Sequence, residues 1–283
     1  MFDRKAKNIE IFEDTCNLIK ESKKLQEGIE YSVANQKLYL QGKEYSYELK
    51  REKADKPAKV VVSGKRTFEA AEPYVKAGCK VCVLNFASAT NPGGGVIHGS
   101  SAQEEALCRC STLYQCLDTE MMWKNFYKPH RRADNPLYNN DILYTPDVWV
   151  CKSDINFPER LKESEWYQVD VLTCAAPNLR KEPSNIMNPS AGSSPAEIDA
   201  NEYRKLMKSR IYQIFTVAQT TEADVLILGA FGCGAFRNPP EVVAELFREA
   251  VDEYKYYFDT IEFAVYHTER ETKNYDAFKK AFI

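Results

Sequence analysis

The chain begins with apolar residues at helical spacing. Ile9, Phe12, Cys16 and Ile19 recur every third or fourth position, which predicts an amphipathic helix. The segment that follows, IEYSVANQKLYLQ, alternates apolar and polar residues, as a strand does. A charged connector, REKADKPAK, closes this section. We therefore expect residues 1–57 to form an accessory N-terminal extension of helix and strand.

From residue 58 onward, short apolar segments alternate with amphipathic ones. Buried strands are predicted at KVVV (59–62), KVCVLNF (80–86), VDVLTCAA (169–176), DVLIL (224–228) and IEFAVYH (261–267). Helices are predicted at FEAAEPYVKAG, capped by Thr67 and closed by Gly78, and at QEEALCRCSTLYQCL, NEYRKLMKSRIYQIFTVAQ, EVVAELFREAV and NYDAFKKAF. Residues 120–168 predict loops and short strands, and residues 177–200 predict a long loop.

This alternation predicts the fold class and the place of a ligand site. Buried strands separated by helices indicate a three-layer α/β/α sandwich spanning residues 58–283. Ligands of such folds bind at the carboxyl ends of strands, in the loops that lead into helices. Two glycine-rich segments, NPGGG and GAFGCGAF, occupy such positions.

Composition narrows the class of protein. The chain of 283 residues is 44% hydrophobic and 28% charged, as in ordinary globular proteins. No apolar run approaches the roughly 20 residues of a membrane span, and the charged N-terminus lacks a signal-peptide pattern. We therefore expect no membrane partner, a cytoplasmic location (nuclear if the cell has a nucleus), and a monomer.

Charge and cysteine usage exclude further classes. A net charge of −3 argues against broad, nonspecific nucleic-acid binding, and we expect no sequence-specific nucleic-acid partner. The densest basic segment is KNFYKPHRR, with Lys124, Lys128, Arg131 and Arg132, which predicts a solvated loop or a guide for a polyanion. The only C-x-x-C pair among the nine cysteines, Cys79 and Cys82, has no second cysteine or histidine pair at zinc-ligand spacing, so we expect reduced, mostly buried thiols and no metal site.

The glycine-rich segments fit close approach to a phosphate. Glycine lets backbone N–H groups reach an anion, and a following helix N-terminus adds favourable partial charge. Neither segment is a P-loop or a dinucleotide fingerprint, since neither G-x-x-x-x-G-K-[ST] nor G-x-G-x-x-G is present. A tight turn is the alternative interpretation of each.

Two adjacent carboxylates follow the first of these segments. Glu104 could close a capping box with Ser101, whereas Glu105 has no capping role at its position. Acidic residues also favour a helix N-terminus for electrostatic reasons alone. Neighbouring side chains on a helix project about 100° apart, so we expect that these two cannot flank one bond as paired catalytic carboxylates do.

Taken together, these motifs resemble one enzyme family. GGG, seven residues and QEE match the signature of poly(ADP-ribose) glycohydrolases, and VLNFASATNPGGG, QEEALCRCSTLY, GAFGCGAFRNPPEVVAELF and FAVYH resemble the microbial branch in order and spacing. The resemblance covers residues 55–283 and implies a macrodomain with a mixed central sheet. It implies ADP-ribose or poly(ADP-ribose) as ligand, ADP-ribosylated proteins as partners, reversal of ADP-ribosylation as in the DNA damage response, and no cofactor.

The resemblance also implies residue roles. Glu105 would be the catalytic acid/base and Glu104 would hold the hydroxyls of the ribose being cleaved. Further substrate contacts are implied at the positions Asn85, Ser88, Gly93, Gly94, Gly95, Gln103, Gly232, Cys233, Gly234, Ala235, Phe236 and Tyr266. Among these, Gly232 to Ala235 would hold the diphosphate, Phe236 the distal ribose and Tyr266 the adenosine half.

These roles lead to a mechanism and to rival functions. A single neutral Glu105 would protonate the departing ribose oxygen of an oxocarbenium-like state, which requires burial to raise its pKa against the helix dipole. Resemblance to the microbial branch implies mainly exo cleavage. The alternatives are a hydrolase of mono-ADP-ribosylated or other ADP-ribose-linked substrates, a non-catalytic ADP-ribose reader, and a magnesium-dependent ADP-ribosylhydrolase, for which the sequence offers no ligand cluster.

Overall fold

A seven-stranded mixed sheet forms the middle layer of the protein, in a computed structural model that describes residues 3–185 and 188–282. The strands are β1 (Lys37–Tyr39), β2 (Lys59–Ser63), β3 (Val81–Phe86), β4 (Ile142–Val150), β5 (Tyr167–Cys174), β6 (Val225–Leu228) and β7 (Thr260–Ala264). Their order across the sheet is β1-β4-β5-β3-β6-β7-β2. From β5 to β2 all neighbours are parallel, whereas β4 and β1 are antiparallel additions at the other edge.

Helices cover both faces of this sheet. They are α1 (Arg4–Glu21), α2 (Lys23–Ala34), α3 (Thr67–Lys76), α4 (Gln103–Cys110), α5 (Leu113–Leu117), α6 (Glu120–Met122), α7 (Lys128–Ala133), α8 (Ala200–Ala218), α9 (Pro240–Tyr254) and α10 (Lys273–Phe282). A π-helical turn, Trp123–Tyr127, joins α6 to α7. None of the described helices is long and apolar enough to cross a bilayer.

The strands are apolar on both faces because each face packs against helices. In β3, Cys82 and Leu84 belong to the core under α8, α9 and α10, while Val81 and Val83 belong to the core under α1, α3, α4 and α5. Side chains alternate between faces along a strand, so a strand buried on both sides is apolar throughout. This arrangement confirms the predicted three-layer sandwich.

Several predicted elements were wrong in detail. The helix expected over residues 103–117 is broken at Ser111, which is extended and pairs with Val150. The first six residues of the segment predicted as an N-terminal strand, residues 29–34, belong to helix α2, and strand geometry is confined to Lys37–Tyr39. Residues 120–168 contain helices and the nine-residue β4, whose pattern is interrupted by a bulge between Thr145 and Val148.

Two further corrections concern loops and caps. Thr67 is the first residue of α3 and does not cap it; the side chain of Glu69 accepts a hydrogen bond from the backbone N–H of Arg66 instead. Residues 177–200 form the expected loop up to the start of α8, except that residues 186–187 lie outside the described part. All nine cysteines are free, and seven are buried, as expected.

The N-terminal helix is fastened to the segment that carries the two glutamates. The Asn8 side-chain amide donates to the Gly99 carbonyl at 2.9 Å, and the Thr15 hydroxyl donates to the Arg109 carbonyl at 2.6 Å. The backbone of Lys5 also lies against Gly99, where a Cβ atom would come within 2.3 Å of the Lys5 carbonyl oxygen. The division at residue 57 stays a prediction, but the two parts share one sheet through the pairing of β1 with β4.

Replacing Gly99 with alanine tests this contact. Gly99 has φ +74°, and Gly42, with φ +80° and open space around it, is a matched control. We expect Gly42→Ala to lower the free energy of unfolding by about 1 kcal/mol through backbone strain. Gly99→Ala should cost at least about 2 kcal/mol more because α1 must shift. Urea denaturation measures both, and equal losses would contradict tight packing of α1 on Gly99.

Candidate active site

A cleft of about 620 Å³ opens at the carboxyl ends of the parallel strands. It lies between the loops that follow β3, β6, β7 and β2. Eleven predicted site residues line it: Ser88, Gly94, Gly95, Gln103, Glu104, Glu105, Gly232, Gly234, Ala235, Phe236 and Tyr266. Asn85, Gly93 and Cys233 are not among its lining residues, although they neighbour residues that are.

The two glutamates belong to the first turn of α4 and are buried. Glu104 accepts hydrogen bonds on both carboxyl oxygens, from the Ser88 backbone N–H at 2.7 Å and from the Asn85 side-chain amide at 3.4 Å. Glu105 uses only one oxygen, Oε1, which accepts from the Gly95 backbone N–H at 2.9 Å. Its other oxygen, Oε2, is buried without a hydrogen-bond partner among the described residues. The two carboxyl groups are therefore chemically distinct.

The alternative interpretation of Glu104, a capping box with Ser101, is wrong. The residue before α4 is Ala102, and no side chain caps the helix there. Glu104 turns inward to the loop after β3 instead, because Ser88 and Asn85 offer it buried donors.

Gly94 shows how close the two carboxyl groups come to each other. A Cβ atom on Gly94 would lie 2.7 Å from Glu105 Oε1 and 3.2 Å from Glu104 Oε2. With φ +57°, this position also favours glycine for its backbone conformation. The side chains leave the helix in different directions, yet their carboxyl groups converge on one glycine at the floor of the cleft. The second glycine of GGG is therefore required by the acidic pair itself.

Burial favours the neutral form of both carboxyl groups. It raises the pKa of Glu104 well above its ordinary value, with a further rise from the charge of Glu105. The pKa of Glu105 is also raised by burial, although the hydrogen bond from Gly95 opposes the rise. Desolvation thus raises the pKa of these groups by more than the positive end of the helix dipole lowers it. A catalytic acid that must be protonated would require this balance.

Hydrogen bonds of Gln103 and Asn85, beneath the cleft floor, hold Glu104 and Glu105 in position. The Gln103 amide donates to the Leu84 carbonyl and the Thr67 hydroxyl, and its oxygen accepts from the Phe86 N–H. This ties α4 to the ends of β3 and the start of α3. Asn85 is fully buried and reaches Glu104 beneath the cleft floor. Their predicted substrate contacts stay predictions.

The loop after β6 presents unpaired backbone donors to the cleft. Among the described residues, the N–H groups of Gly234, Ala235 and Phe236 have no acceptor, whereas that of Cys233 donates to the Ala230 carbonyl. Successive free N–H groups in a loop form an anion-binding concavity. The buried Asn238 amide holds this shape by donating to the carbonyls of Pro177 and Gly232. Sequence reasoning missed Asn238, which follows the glycine motif without a recognisable pattern of its own.

The prediction of a solvated loop is wrong for Arg131. Its guanidinium donates to the Thr90 carbonyl at 2.7 Å and to the Asn91 side chain, and it stacks 4.7 Å from the Trp123 ring centroid. The Asn91 carbonyl in turn accepts from the Gly94 N–H. Arg131 thus braces the loop that presents Gly94 and Gly95 to the glutamates, while Arg132 is exposed with no hydrogen-bond or ion-pair partner in the described chain.

Several residues in and around the cleft were not among the predicted site residues. Asn188 accepts hydrogen bonds from both Thr90 and Asn91, which joins the loop of residues 177–200 to the glycine loop. At the end of the cleft near β2, the Arg66 guanidinium stacks 3.9 Å above the ring of Tyr266. Lys5, Lys65, Asp154 and Arg180 also line the cleft. The described residues include no group of three or more His, Cys, Asp or Glu suited to a metal ion.

Solved structures with the same fold include bacterial poly(ADP-ribose) glycohydrolases. The enzyme from Thermomonospora curvata is 28% identical over 97% of this chain and 99% of that chain, with a TM-score of 0.79, and its complex with the inhibitor ADP-HPD gives a TM-score of 0.77. The enzyme from Deinococcus radiodurans in complex with ADP-ribose is 28% identical over 90% of this chain and 96% of that chain, with a TM-score of 0.73. A comparison with curated protein sequences gave no match.

These likenesses place the chain among glycohydrolases with a macrodomain-like fold. The profile described as microbial-type PARG, catalytic domain, matches residues 6–153, more than half of the chain and including most of α1. The chain therefore belongs to the microbial-type poly(ADP-ribose) glycohydrolases, and it is an enzyme of that class.

The raised pKa of Glu104 predicts a pH-dependent cost to stability. The unfolded chain ionises this carboxyl near 4.5, and the folded protein does so only at higher pH. Between these values the folded state binds more protons, so stability falls as pH rises through the window. We expect Glu104→Gln to be more stable than wild type at pH 8, with the gain shrinking towards pH 4.5, in urea denaturation at several pH values. A variant less stable at every pH would contradict burial as the dominant cause.

Replacing Arg131 should displace the glycine loop, although Arg131 itself is not proposed to contact the substrate. We expect Arg131→Ala to lower kcat by about tenfold to a hundredfold, because small displacements of a catalytic group are costly. The exposed neighbour variant, Arg132→Ala, should keep wild-type kcat. Steady-state kinetics on poly(ADP-ribose) compare the two, and equal activities would show that the loop holds its position without Arg131.

Proposed function

We propose that the chain releases ADP-ribose from the ends of poly(ADP-ribose) by hydrolysing the ribose–ribose O-glycosidic bond, with Glu105 as its single acid/base. The observation that carries this proposal is the free Oε2 of Glu105, which is buried in the wall of the cleft. A neutral carboxyl with one oxygen fixed by Gly95 and the other unoccupied is suited to transfer a proton to a bound oxygen atom.

The proposed reaction has two proton transfers. Glu105 donates its proton to the departing ribose oxygen as the bond from that oxygen to the anomeric carbon breaks. The resulting carboxylate then takes a proton from a water molecule whose oxygen adds to the anomeric carbon. Free ADP-ribose and a shortened polymer result, and Glu105 regains its proton. Burial raises the pKa of Glu105, so the acid form persists at pH values above 4.5, the ordinary pKa of a glutamate.

Glu104 and the loop after β6 would hold the substrate around this step. Glu104 accepts hydrogen bonds from Ser88 and Asn85. Its remaining lone pairs can accept hydrogen bonds from the hydroxyls of the cleaved ribose. The free N–H groups of Gly234, Ala235 and Phe236 would bind the diphosphate. The diphosphate, held close, would stabilise the oxocarbenium-like state electrostatically.

The end of the cleft supports exo cleavage. Arg66 and Tyr266 stack there, and Asn274 of α10 also lines the cleft. We propose that the adenosine half of the terminal unit lies against this pair, so that the chain can leave the site in only one direction. An internal unit would need an opening at both ends.

Replacing each glutamate in turn tests the assignment. We expect Glu105→Gln to lower ADP-ribose release from purified poly(ADP-ribose) by more than about a hundredfold, since it removes the proton donor. Binding of free ADP-ribose, measured by calorimetry, should persist. Glu104→Gln should weaken binding as well as catalysis. Early products should be ADP-ribose monomers without short oligomers.

The other outcomes identify the rival functions. Binding of ADP-ribose by a wild-type protein that releases nothing would indicate a reader. Release from mono-ADP-ribosylated protein but not from the polymer would indicate a hydrolase of that linkage. Full activity of Glu105→Gln would remove the single acid/base mechanism, and loss of wild-type activity with a chelator would favour a metal-dependent reaction.

A further inference from the structure

The N-terminal helix contributes a cationic side chain to the catalytic cleft. Lys5, in the first turn of α1, is exposed and lines the same cleft as Glu105. Its backbone lies against Gly99, and Asn8, one turn further along α1, donates to the Gly99 carbonyl. The position of Lys5 is therefore fixed relative to the Gly99–Ala102 segment, which leads directly into the helix of the two glutamates.

The charge of Lys5 is free to meet a ligand. Lys5 forms no ion pair within the described chain, whereas Lys7, half a turn away, pairs with Glu10 at 2.9 Å. The acidic residues that line the cleft, Glu104, Glu105 and Asp154, are all buried. An unpaired, exposed ammonium group at the rim of such a cleft attracts an anion with little competition.

The terminal ADP-ribose unit does not account for Lys5. In the proposed function that unit extends from the glutamates across the loop after β6 towards Arg66 and Tyr266. Lys5 instead lies against Gly99, on the N-terminal side of the two glutamates, in the segment that also contributes Ser100 and Ser101 to the cleft lining. A polymer continues beyond the bond that Glu105 cleaves, and its next charged group is the diphosphate of the following unit.

We propose that Lys5 binds the diphosphate of the ADP-ribose unit from which the terminal unit is cleaved. This inference rests on the proposed function and gives the N-terminal helix a part in substrate selection. Lys5 is a binding residue for the leaving polymer, so its loss raises KM for the polymer and leaves the chemistry of a small substrate unchanged.

The experiment compares Lys5→Ala and Lys5→Glu with Lys7→Ala and Lys7→Glu, which change the same charge on the same helix outside the cleft. Two substrates are used: purified poly(ADP-ribose), and an ADP-ribose glycoside whose leaving group is an uncharged phenol. We expect Lys5→Ala to lower kcat/KM on the polymer by about three- to fivefold at low salt, and Lys5→Glu by about tenfold. The salt dependence of log kcat/KM should become shallower by about one unit of slope in Lys5→Ala.

Hydrolysis of the phenol glycoside and binding of free ADP-ribose should match wild type in every variant. Equal losses on both substrates would place Lys5 on the terminal unit and overturn the inference. If the Lys7 variants lost as much kcat/KM on the polymer as the Lys5 variants, the effect would be one of general charge and the role of Lys5 would be refuted. Unchanged polymer kinetics in Lys5→Glu would also refute that role. Failure of the wild type to cleave the polymer would instead remove the proposed function on which the inference rests.

Discussion

The burial of two adjacent carboxyl groups at the start of one helix is the constraint on which the rest of this structure depends. A polar group that is buried without a hydrogen-bond partner is costly, so each carboxyl group needs donors that only backbone and buried side chains can supply. Ser88, Asn85 and Gly95 supply them from the loop after β3. Gly94 lies between the two groups because any larger residue would collide with their oxygens. The loop and the helix must therefore be held at a fixed distance.

Several elements hold that distance from different sides. Gln103 ties the start of α4 to β3 and α3, Arg131 braces the loop from α7, and α1 contacts the segment on both sides of the glutamates through Asn8 and Thr15. None of these residues needs to touch a ligand. They keep one oxygen of Glu105 bonded and the other free, and this asymmetry distinguishes the two glutamates chemically.

The second half of the cleft uses another kind of donor. The loop after β6 leaves backbone N–H groups without an acceptor in the described part of the chain, and Asn238 holds the loop in that conformation. Backbone donors carry no net charge and need no side-chain ordering, so in the proposed function the diphosphate would be bound without adding cations beside Glu105. The cations that line the cleft, Lys5, Lys65, Arg66 and Arg180, reach it from α1, the β2–α3 turn and the loop after β5.

Sequence patterns predicted most of what depends on local chemistry. Apolar segments identified the edge strand β2 and the buried strands β3, β5, β6 and β7, and glycine-rich strand ends next to a helix start identified both loops of the site. The segments that were predicted wrongly owe their structure to distant partners. Ser111 breaks a continuous helical pattern because it pairs with Val150, and β4 is interrupted by a bulge.

The sequence by itself identified the candidate site residues, since a carboxyl pair and neighbouring glycines are read directly from residue types and spacing. Only the tertiary structure decided how they are arranged. It turned Glu104 inward instead of letting it cap α4, left one oxygen of Glu105 free, and made Arg131 a brace and Lys5 a part of the cleft wall. The physical reason is that hydrogen-bond partners and burial come from residues far apart in the chain, and no local pattern records them.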